Sequence, residues 1–203
     1  MEREEAVIKI QKLVGQDLRK LADKYEVTVF RNGKKNKGWA GHVIERYLGL
    51  PTNSSQSPNF GSWELKTIPL KYLKNGKLTV KETMAITMID PYNVEHTEFE
   101  NSHLLAKLKK AVIAARIWIG QNEESSILYK VTTFDLGDKE LYEHIKEDYN
   151  TVRNAIINKG FKSLTGKMGI SVQPRTKGAG HGSTSRAFYA RTGFLKEFIF
   201  PEL

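Results

Sequence analysis

The chain has 203 residues, enough to bury a substantial core as one domain. Its 32 Lys and Arg residues outnumber its 23 Asp and Glu residues, and the formal charge of +9 favours a polyanionic partner, above all nucleic acid, over a merely solvated basic surface. The lack of cysteine excludes disulfides, thiol nucleophiles and thiolate zinc sites. The charged N-terminal segment is unlike a signal peptide and no apolar run approaches the ~20 residues that span a bilayer, so we expect a soluble cytoplasmic protein.

The N-terminal part of the chain is predicted to be helical. Apolar residues at helical spacings predict a helix over residues 3–24, which Gly15 divides in two. A short apolar run at residues 27–30 then leads into a basic turn at residues 32–38. This turn includes Lys37, and its charge fits a phosphate contact as well as it fits a solvated loop.

A second helix, predicted from about Gly38 to Leu48, carries the first candidate site residue. Its apolar stripe is formed by Trp39, Val43, Ile44, Tyr47 and Leu48. Glu45 lies on the opposite side, one turn beyond Gly41, where the missing side chain would let a ligand approach closely. Helix geometry alone leaves Glu45 as a plain surface glutamate.

A strand is predicted to follow the polar loop at residues 51–62. Side chains two apart in a strand share a face, so Glu64 and Lys66 project side by side while their neighbours face the other way. An Asn-Gly turn at residues 75–76 predicts a hairpin or a wider connection between segments 64–70 and 83–89. The second segment is apolar on both faces, as expected of a buried central strand.

Helical and extended segments are then predicted to alternate. Asn101 and Ser102 are expected to cap a helix running to about Arg116, with Lys107 at the edge of its buried stripe. Strands are predicted at residues 117–119, 127–131 and 170–173, and a long amphipathic helix is predicted from Asp138 to about Asn158.

The glycine-rich basic segment at residues 174–186 is the candidate nucleic-acid-binding loop. It fails the pattern of a nucleotide-binding P-loop because Gly182 is followed by Ser183. Basic side chains can donate to guanine acceptors and to phosphates, so the segment suits a groove-reading loop, with a floppy surface loop as the alternative. The predicted DNA-binding residues are Lys37, Gln173, Arg175, Lys177, Arg186 and Tyr189.

A metal ion held by carboxylate oxygens is the kind of catalytic site that the sequence still allows. The five histidines lack metal-ligand spacing and no Gly-x-Ser-x-Gly occurs. Glu64, with a second acid such as Glu45, could hold Mg²⁺, and Lys66 could position or deprotonate a water for in-line attack on phosphorus. Lys107 could stabilise the charge that develops on the phosphate.

Three motifs carry a resemblance to a known family. They are Lys37-Gly38-Trp39-Ala40-Gly41 with Glu45, Glu64-Leu65-Lys66-Thr67-Ile68-Pro69, and Phe99-Glu100-Asn101-Ser102-His103 with Lys107. In this order they resemble the MutH family of mismatch-repair nicking endonucleases, whose relatives include type II restriction enzymes cutting at GATC. The resemblance covers nearly the whole chain and implies a single domain, residues 1–203. The implied α/β fold is the PD-(D/E)XK nuclease fold, a mixed sheet flanked by helices and split by a DNA-binding cleft.

The resemblance also implies roles for individual residues. Glu45 is similar to the family's helical active-site glutamate, Glu64 and Lys66 to its Glu-x-Lys pair, and Lys107 to its additional catalytic lysine. The implied metal ligands are Asn59, Glu64 and Leu65, with Mg²⁺ as the cofactor. Arg175, Lys177 and Tyr189 fall in the part that resembles the base-recognition segment, although the loop is shorter here.

One position departs from the family pattern. The family's metal-binding aspartate stands in an Asp-Phe dipeptide before Glu-x-Lys, and the matching dipeptide here is Asn59-Phe60. Asn offers a carbonyl oxygen but no formal negative charge, so Mg²⁺ binding should weaken. The chain is therefore either a catalytically impaired form or a nuclease whose metal site is built differently.

The leading hypothesis is a Mg²⁺-dependent, sequence-specific endonuclease of double-stranded DNA, with a restriction enzyme favoured over a repair nickase. A nickase would act at hemimethylated GATC sites and respond to a MutL-like partner. The competing class is a DNA-binding module without catalysis. A generic RNA-binding protein is disfavoured because no aromatic-rich RNP strand is present. Double-strand cutting needs two catalytic centres, which leaves a homodimer or sequential nicking open.

Overall fold

The structure is a computed structural model, and it describes residues 1–50, 58, 61–178 and 184–203. The chain opens with helices α1 (Arg3–Gln11) and α2 (Leu18–Lys24). Gly15 lies between them with a φ of +85°, a conformation that glycine adopts without strain. The predicted division of the N-terminal helical segment is confirmed.

A short hairpin and a third helix follow. The hairpin consists of β1 (Phe30–Arg31) and β2 (Lys34–Lys35), which pair antiparallel. Its two turn residues, Asn32 and Gly33, have φ values of +49° and +70°, as a tight type I′ turn requires. The predicted basic turn is thus the tip and second strand of a hairpin. Helix α3 (Trp39–Tyr47) begins directly after it, within the predicted bounds.

The main sheet is mixed. Its strand order is β4 (Leu78–Val80), β3 (Glu64–Tyr72), β6 (Lys110–Ile117) and β7 (Leu128–Asp135). Strands β3 and β6 are parallel, and the two outer pairings are antiparallel. The predicted α/β fold class, a mixed sheet flanked by helices, is confirmed.

A second, antiparallel sheet has the order β5 (Met84–Met88), β9 (Arg186–Ala190) and β8 (Val172–Thr176). The prediction that segment 83–89 is a central strand is wrong, and of the two connections predicted between segments 64–70 and 83–89 the structure has the wider one rather than the hairpin. The Asn-Gly turn joins β3 to β4 instead, and β5 is an edge strand of the second sheet. A bulge between Ala85 and Thr87 leaves the consecutive residues Ile86 and Thr87 both buried. The apolar pattern of β5 therefore resembles that of a central strand, although β5 lies at the edge of its sheet.

The predicted helix from Asn101 to Arg116 is also wrong beyond its first turns. Helix α5 (His103–Leu108) ends before Lys110, and residues 110–117 form β6, which is paired on both sides. The alanines of this segment favour helix, but a buried apolar run does not distinguish a helix from a central strand by periodicity. Pairing to β3 and β7 decides in favour of the strand.

The remaining elements lie close to their predicted positions. Helix α6 (Lys139–Lys159) is capped by Asp138, whose carboxylate accepts the backbone N–H of Leu141. The predicted strand 127–131 is confirmed from residue 128 onward as the start of the longer β7. The strand predicted at residues 117–119 is wrong, because β6 ends at Ile117. The smaller elements are α4 (Pro91–His96), α7 (Thr192–Phe194), a π-helical turn (Leu195–Ile199) and 3₁₀ turns at Phe99–Asn101 and Phe161–Ser163.

Strand β8 begins at Val172, two residues later than predicted. The buried carboxylate of Asp148 on α6 accepts the backbone N–H groups of Ile170, Ser171 and Val172 at 2.7, 2.8 and 2.7 Å. Gly169 lies beside this contact with a φ of +75°, and a Cβ there would meet the Val172 carbonyl oxygen at 1.9 Å. The segment before β8 is therefore bound to the helix rather than to the sheet.

Two apolar clusters cover opposite faces of the main sheet. One cluster contains Ile68, Leu70, Ala111, Ile113 and Ala115, together with residues of α6 and of the second sheet. The other contains Trp63, Leu65, Val112 and Ala114, together with residues of α1, α2 and α3. This alternation confirms that Glu64 and Lys66 share the face opposite Trp63 and Leu65. Within the described ranges, no helix has the length and apolar character that crossing a membrane would require.

Candidate functional site

A buried carboxylate between two lysines forms the centre of the candidate site. The Lys66 Nζ lies 2.8 Å from the Glu64 Oε1, and the Lys107 Nζ lies 3.3 Å from the same oxygen. Glu64 is 1% exposed and Lys107 is 7% exposed. Burial of an ion pair is costly unless the geometry is good, so three charges gathered here indicate a functional arrangement rather than a stabilising one.

The parallel pairing of β3 and β6 brings Lys107 to Glu64. Glu64 is opposite Ala111 in this register, and Lys107 precedes Ala111 by four residues, in the last turn of α5. The Ser102 Oγ caps α5 by accepting the Leu105 N–H at 3.1 Å, and it donates to the Phe99 carbonyl at 2.7 Å. The third sequence motif therefore serves to begin the helix that delivers Lys107.

Lys66 connects the two sheets. Its ammonium donates to the Ile86 carbonyl on β5 at 3.0 Å, in addition to its contact with Glu64. Burial lowers the pKa of Lys66 because it disfavours the charged form; Glu64 offsets part of this effect, and repulsion from Lys107 and Lys177 adds to it. A lysine with a lowered pKa loses its proton more readily than an exposed one, which suits a group that accepts a proton.

Glu45 is buried, so the interpretation as a plain surface glutamate is wrong. It is 6% exposed on α3, which packs on the face of β3 that carries Leu65. Gly41, one turn earlier on α3, faces the same strand, and a Cβ there would lie 3.9 Å from the Thr67 Oγ1, which is an ordinary van der Waals contact. The predicted pairing of Glu45 with Glu64 around a metal stays a prediction.

The predicted metal ligands are only partly within the described residues. Asn59 lies outside them, as does Phe60. Glu64 heads β3 and Leu65 is the next residue, with a buried side chain. In the part of the chain that the structure describes, no three His, Asp or Glu side chains cluster closely enough to hold a metal ion.

The predicted recognition residues converge on β8 and β9. Gln173 is opposite Tyr189, and Arg175 is opposite Ala187. The exposed Arg175 donates to the Thr83 Oγ1 at 3.1 Å, and its guanidinium lies 6.0 Å from the centre of the Tyr189 ring. These two contacts preorganise Arg175 at the surface of the second sheet.

The other predicted DNA-binding residues differ in exposure. Lys37 is exposed in the turn before α3. Gln173, by contrast, is 7% exposed, and its side-chain oxygen lies beside Gly166. Arg186 is half-buried and donates to the carbonyls of Thr184 and Ser185, at 3.2 and 3.4 Å. Gln173 is thus covered in this structure, while Lys37 is accessible.

Lys177, at the end of β8, is electrostatically coupled to the Glu64 centre. Its pKa is lowered by partial burial and by repulsion from Lys107. Its backbone N–H donates to the Ser185 carbonyl at 3.0 Å, which closes the base of the loop at residues 178–184. Residues 179–183 of that loop lie outside the described residues. The second sheet therefore presents one predicted recognition lysine to the candidate catalytic lysines.

Sequence reasoning missed the groups that support these side chains. The Ile86 carbonyl holds Lys66, and the Thr83 hydroxyl holds Arg175. A contact made by a backbone carbonyl cannot be read from the sequence, because every residue has one. A single threonine before a strand is too common to indicate a supporting contact. A second missed group is the ion pair between Arg116 and Glu123, whose signal was an arginine within the apolar run Ala111–Ile117.

Comparison with known proteins identifies the family. The model of the family "DNA mismatch repair enzyme MutH" matches residues 48–155. The DNA mismatch repair protein MutH of Vibrio parahaemolyticus is 26% identical over 92% of this chain and 88% of its own length. The type II restriction enzyme Sau3AI of Staphylococcus aureus is 28% identical over 82% of this chain, which spans only 37% of that enzyme. A solved complex of the restriction endonuclease MvaI with its cognate DNA matches with a TM-score of 0.39 and 13% identity, over 89% of this chain and 95% of that one.

These findings first define a class. A mixed sheet bearing a Glu-x-Lys pair and a further lysine, in a chain with such relatives, is a DNA endonuclease. The family model covers more than half of the 203 residues, and the chain therefore belongs to the MutH family.

Proposed function

We propose that this chain is a Mg²⁺-dependent, sequence-specific endonuclease that hydrolyses phosphodiester bonds of double-stranded DNA, and that residues 1–203 form a single domain. The observation that carries the proposal is the buried Glu64 carboxylate between the ammonium groups of Lys66 and Lys107. The net charge of +9 supports a DNA substrate. We favour a restriction enzyme among the functions found in this family.

The proposed metal ligands match Mg²⁺ in kind. The Glu64 carboxylate, the Leu65 main-chain carbonyl and the Asn59 amide oxygen form an all-oxygen donor set, which is what this hard cation takes from proteins. When bound, Mg²⁺ supplies positive charge that stabilises the phosphate and the departing oxygen. The set includes a single carboxylate, so we expect weak affinity for the cation.

The chain's own residues supply the rest of the mechanism. Glu64 orients Lys66 and Lys107 through one carboxylate oxygen, which fixes both ammonium groups relative to the bound phosphate. Lys66 positions the attacking water and accepts its proton, a role that its lowered pKa supports. Lys107 stabilises the negative charge that develops on the phosphate oxygens.

Changing Asn59 to aspartate is the direct test of the proposal. We expect Asn59→Asp to raise the rate of plasmid cleavage in Mg²⁺ by about tenfold or more, because a second carboxylate increases the affinity for the cation. Asn53→Asp is the matched control, since it adds the same charge to the same polar segment. Mg²⁺ titration followed by the melting temperature gives a second readout, in which Asn59→Asp should show the larger ligand-induced rise. If Asn59→Asp binds DNA normally and stays inactive, the nuclease assignment fails for this chain.

Sequence discrimination is expected to depend on Arg175. Arginine reads guanine through two hydrogen bonds worth about 1–3 kcal/mol, so Arg175→Ala should reduce the preference for the cognate site roughly tenfold to hundredfold. Competition between cognate and single-base-variant duplexes measures this ratio without cleavage. Lys196→Ala removes one exposed positive charge elsewhere and should leave the ratio unchanged. An unaltered ratio in Arg175→Ala would remove this residue from base recognition.

A repair nickase is the second candidate function, and the length of the match favours it, since the mismatch repair relative is covered over 88% of its length. The two functions differ in their products. A restriction enzyme cuts both strands unaided, whereas a repair nickase nicks hemimethylated sites and responds to a MutL-like partner. The mass of the complex with DNA, measured by analytical ultracentrifugation, would show whether one or two copies of the chain bind each duplex. Two copies would indicate that double-strand cutting uses a homodimer.

A further inference from the structure

A buried charge network lies at the far end of β6 from the Glu64 centre. Arg116 is 5% exposed and Glu123 is 0% exposed. The guanidinium donates to both oxygens of Glu123, from Nη1 to Oε2 at 2.7 Å and from Nη2 to Oε1 at 3.1 Å, and also to the Ser126 Oγ at 2.9 Å. Its planar group lies 5.0 Å from the centre of the Trp39 ring, at the start of α3. The proposed mechanism uses none of these groups.

The network extends to the basic hairpin through Lys35. The Lys35 ammonium, on β2, forms an ion pair with the Glu123 Oε1. Glu123 has a φ of +49°, which residues other than glycine adopt only when their surroundings enforce it. Glu123 thus combines a sparsely populated backbone conformation with ion pairs to both Arg116 and Lys35.

Asn36 fixes the hairpin to α3. Its backbone N–H donates to the Val29 carbonyl at 2.9 Å, its side-chain N–H donates to the Thr28 carbonyl at 3.0 Å, and its Oδ1 accepts the Gly38 N–H at 3.1 Å. The type I′ turn sets the tip of the hairpin. The position of the Phe30–Lys35 hairpin is therefore fixed by three features: the turn at its tip, the hydrogen bonds of Asn36 at its base, and the ion pair of Lys35 with Glu123.

Three exposed cations lie on this hairpin and directly after it. Arg31, Lys34 and Lys37 are exposed, and no acidic residue occurs between Glu26 and Glu45. Within the described ranges, none of these three cations belongs to a salt bridge. Three exposed cations without a nearby acidic residue in the sequence form a positive patch, and a positive patch on a fixed hairpin suits the phosphate backbone of DNA.

We propose that the Phe30–Lys35 hairpin with Lys37 is an arm that binds the DNA phosphate backbone, and that Lys35 and Glu123 are its positioning residues. Lys35 turns its charge inward to Glu123, and the arm thereby presents Arg31, Lys34 and Lys37 outward. The inference rests on the DNA substrate of the proposed function but not on cleavage. It extends the DNA surface beyond β8 and β9 to the N-terminal side of α3.

The test is a double-mutant cycle on DNA affinity. Lys35→Met and its neighbour Lys34→Met each remove one positive charge, but only Lys35 contacts Glu123. Binding of a short fluorescent duplex is measured without divalent cation over a range of KCl concentrations. Lys34→Met should weaken binding a few-fold and reduce the salt slope by about one. Lys35→Met should weaken binding about tenfold and reduce the slope by more than one, because several outward cations lose their placement together.

The second half of the cycle separates positioning from direct contact. In an Arg31→Met/Lys34→Met/Lys37→Met background, adding Lys35→Met should change affinity by less than about twofold, because all three cations that it positions are gone. Lys35→Arg, which keeps the ion pair, should restore most of the affinity. Equal and additive effects of Lys34→Met and Lys35→Met would overturn the positioning role, and no effect of either would overturn the arm itself. Because the readout is binding without cleavage, an inactive Asn59→Asp enzyme would not alter these outcomes.

Discussion

Lys66→Ala, made in the Asn59→Asp background, is expected to abolish DNA cleavage while leaving DNA affinity nearly unchanged. The Lys66 ammonium lies against Glu64 and the Ile86 carbonyl, on the strand that begins with the candidate metal ligand. Loss of a positioned proton acceptor costs about 10²–10⁴ in rate, so single-turnover cleavage should fall by at least about a hundredfold. Affinity should change little because one buried ammonium contributes little to the total phosphate contact.

Two further variants make this prediction sharp. Lys66→Arg keeps the positive charge but cannot give up its proton, so it should be nearly as inactive as Lys66→Ala if Lys66 accepts a proton. Substantial activity in Lys66→Arg would assign Lys66 an electrostatic role instead. Lys71→Ala removes a lysine from the same strand, five residues on, and should cleave at the rate of the parent. Undiminished cleavage by Lys66→Ala would remove this residue from the mechanism.

The centre of the site could be predicted from sequence because it depends on local geometry. Two residues that are two apart in a strand must share a face, and Glu64 and Lys66 do so at 2.8 Å. The bounds of α3 and α6 followed from apolar periodicity and from the cap formed by Asp138. Such features need only the nearest few residues of the chain.

Features that depend on distant pairing could not be predicted. Residues 110–117 form a strand because β3 and β7 lie on either side, and no local signal reports those neighbours. The contact of Lys107 with Glu64 follows from the same parallel register, so the resemblance to the family indicated its role where periodicity could not. Glu45 was assigned to the surface because helix geometry does not reveal that β3 packs against α3.

The proposed catalytic residues and the proposed recognition residues lie on different sheets. The main sheet carries Glu64 and Lys66, and the second sheet carries Arg175 and Tyr189. Lys66 donates to the Ile86 carbonyl on β5, and β5 pairs with β9, so the candidate catalytic lysine contacts the strand next to a candidate recognition strand. DNA binding that displaces β5 relative to β3 would therefore change the position of the Lys66 ammonium.

Glu123→Ala is expected to have the largest effect on stability. It leaves the Arg116 guanidinium buried without its bidentate partner and also frees Lys35. Breaking a buried ion pair by removing one partner costs about 3–5 kcal/mol, and the free energy of unfolding from urea titration should fall by that amount. Glu124→Ala is the matched control, because this neighbouring glutamate is exposed and its loss should cost less than about 0.5 kcal/mol.

The pH dependence of stability offers an independent check on Glu123. Burial raises the pKa of this carboxyl, but hydrogen bonds from Arg116 and Lys35 outweigh burial and hold the pKa below its ordinary value of 4.5. A carboxyl with a lowered pKa in the folded state stabilises the protein above its unfolded-state pKa, and this contribution is lost as the pH falls through the folded-state value. Wild-type protein should therefore lose more stability than Glu123→Gln on acidification below about pH 4.5. Parallel acid titrations of the two proteins measure this difference. Equal losses of stability would mean that Glu123 contributes no pH-dependent stability and that the ion pair is not maintained in solution.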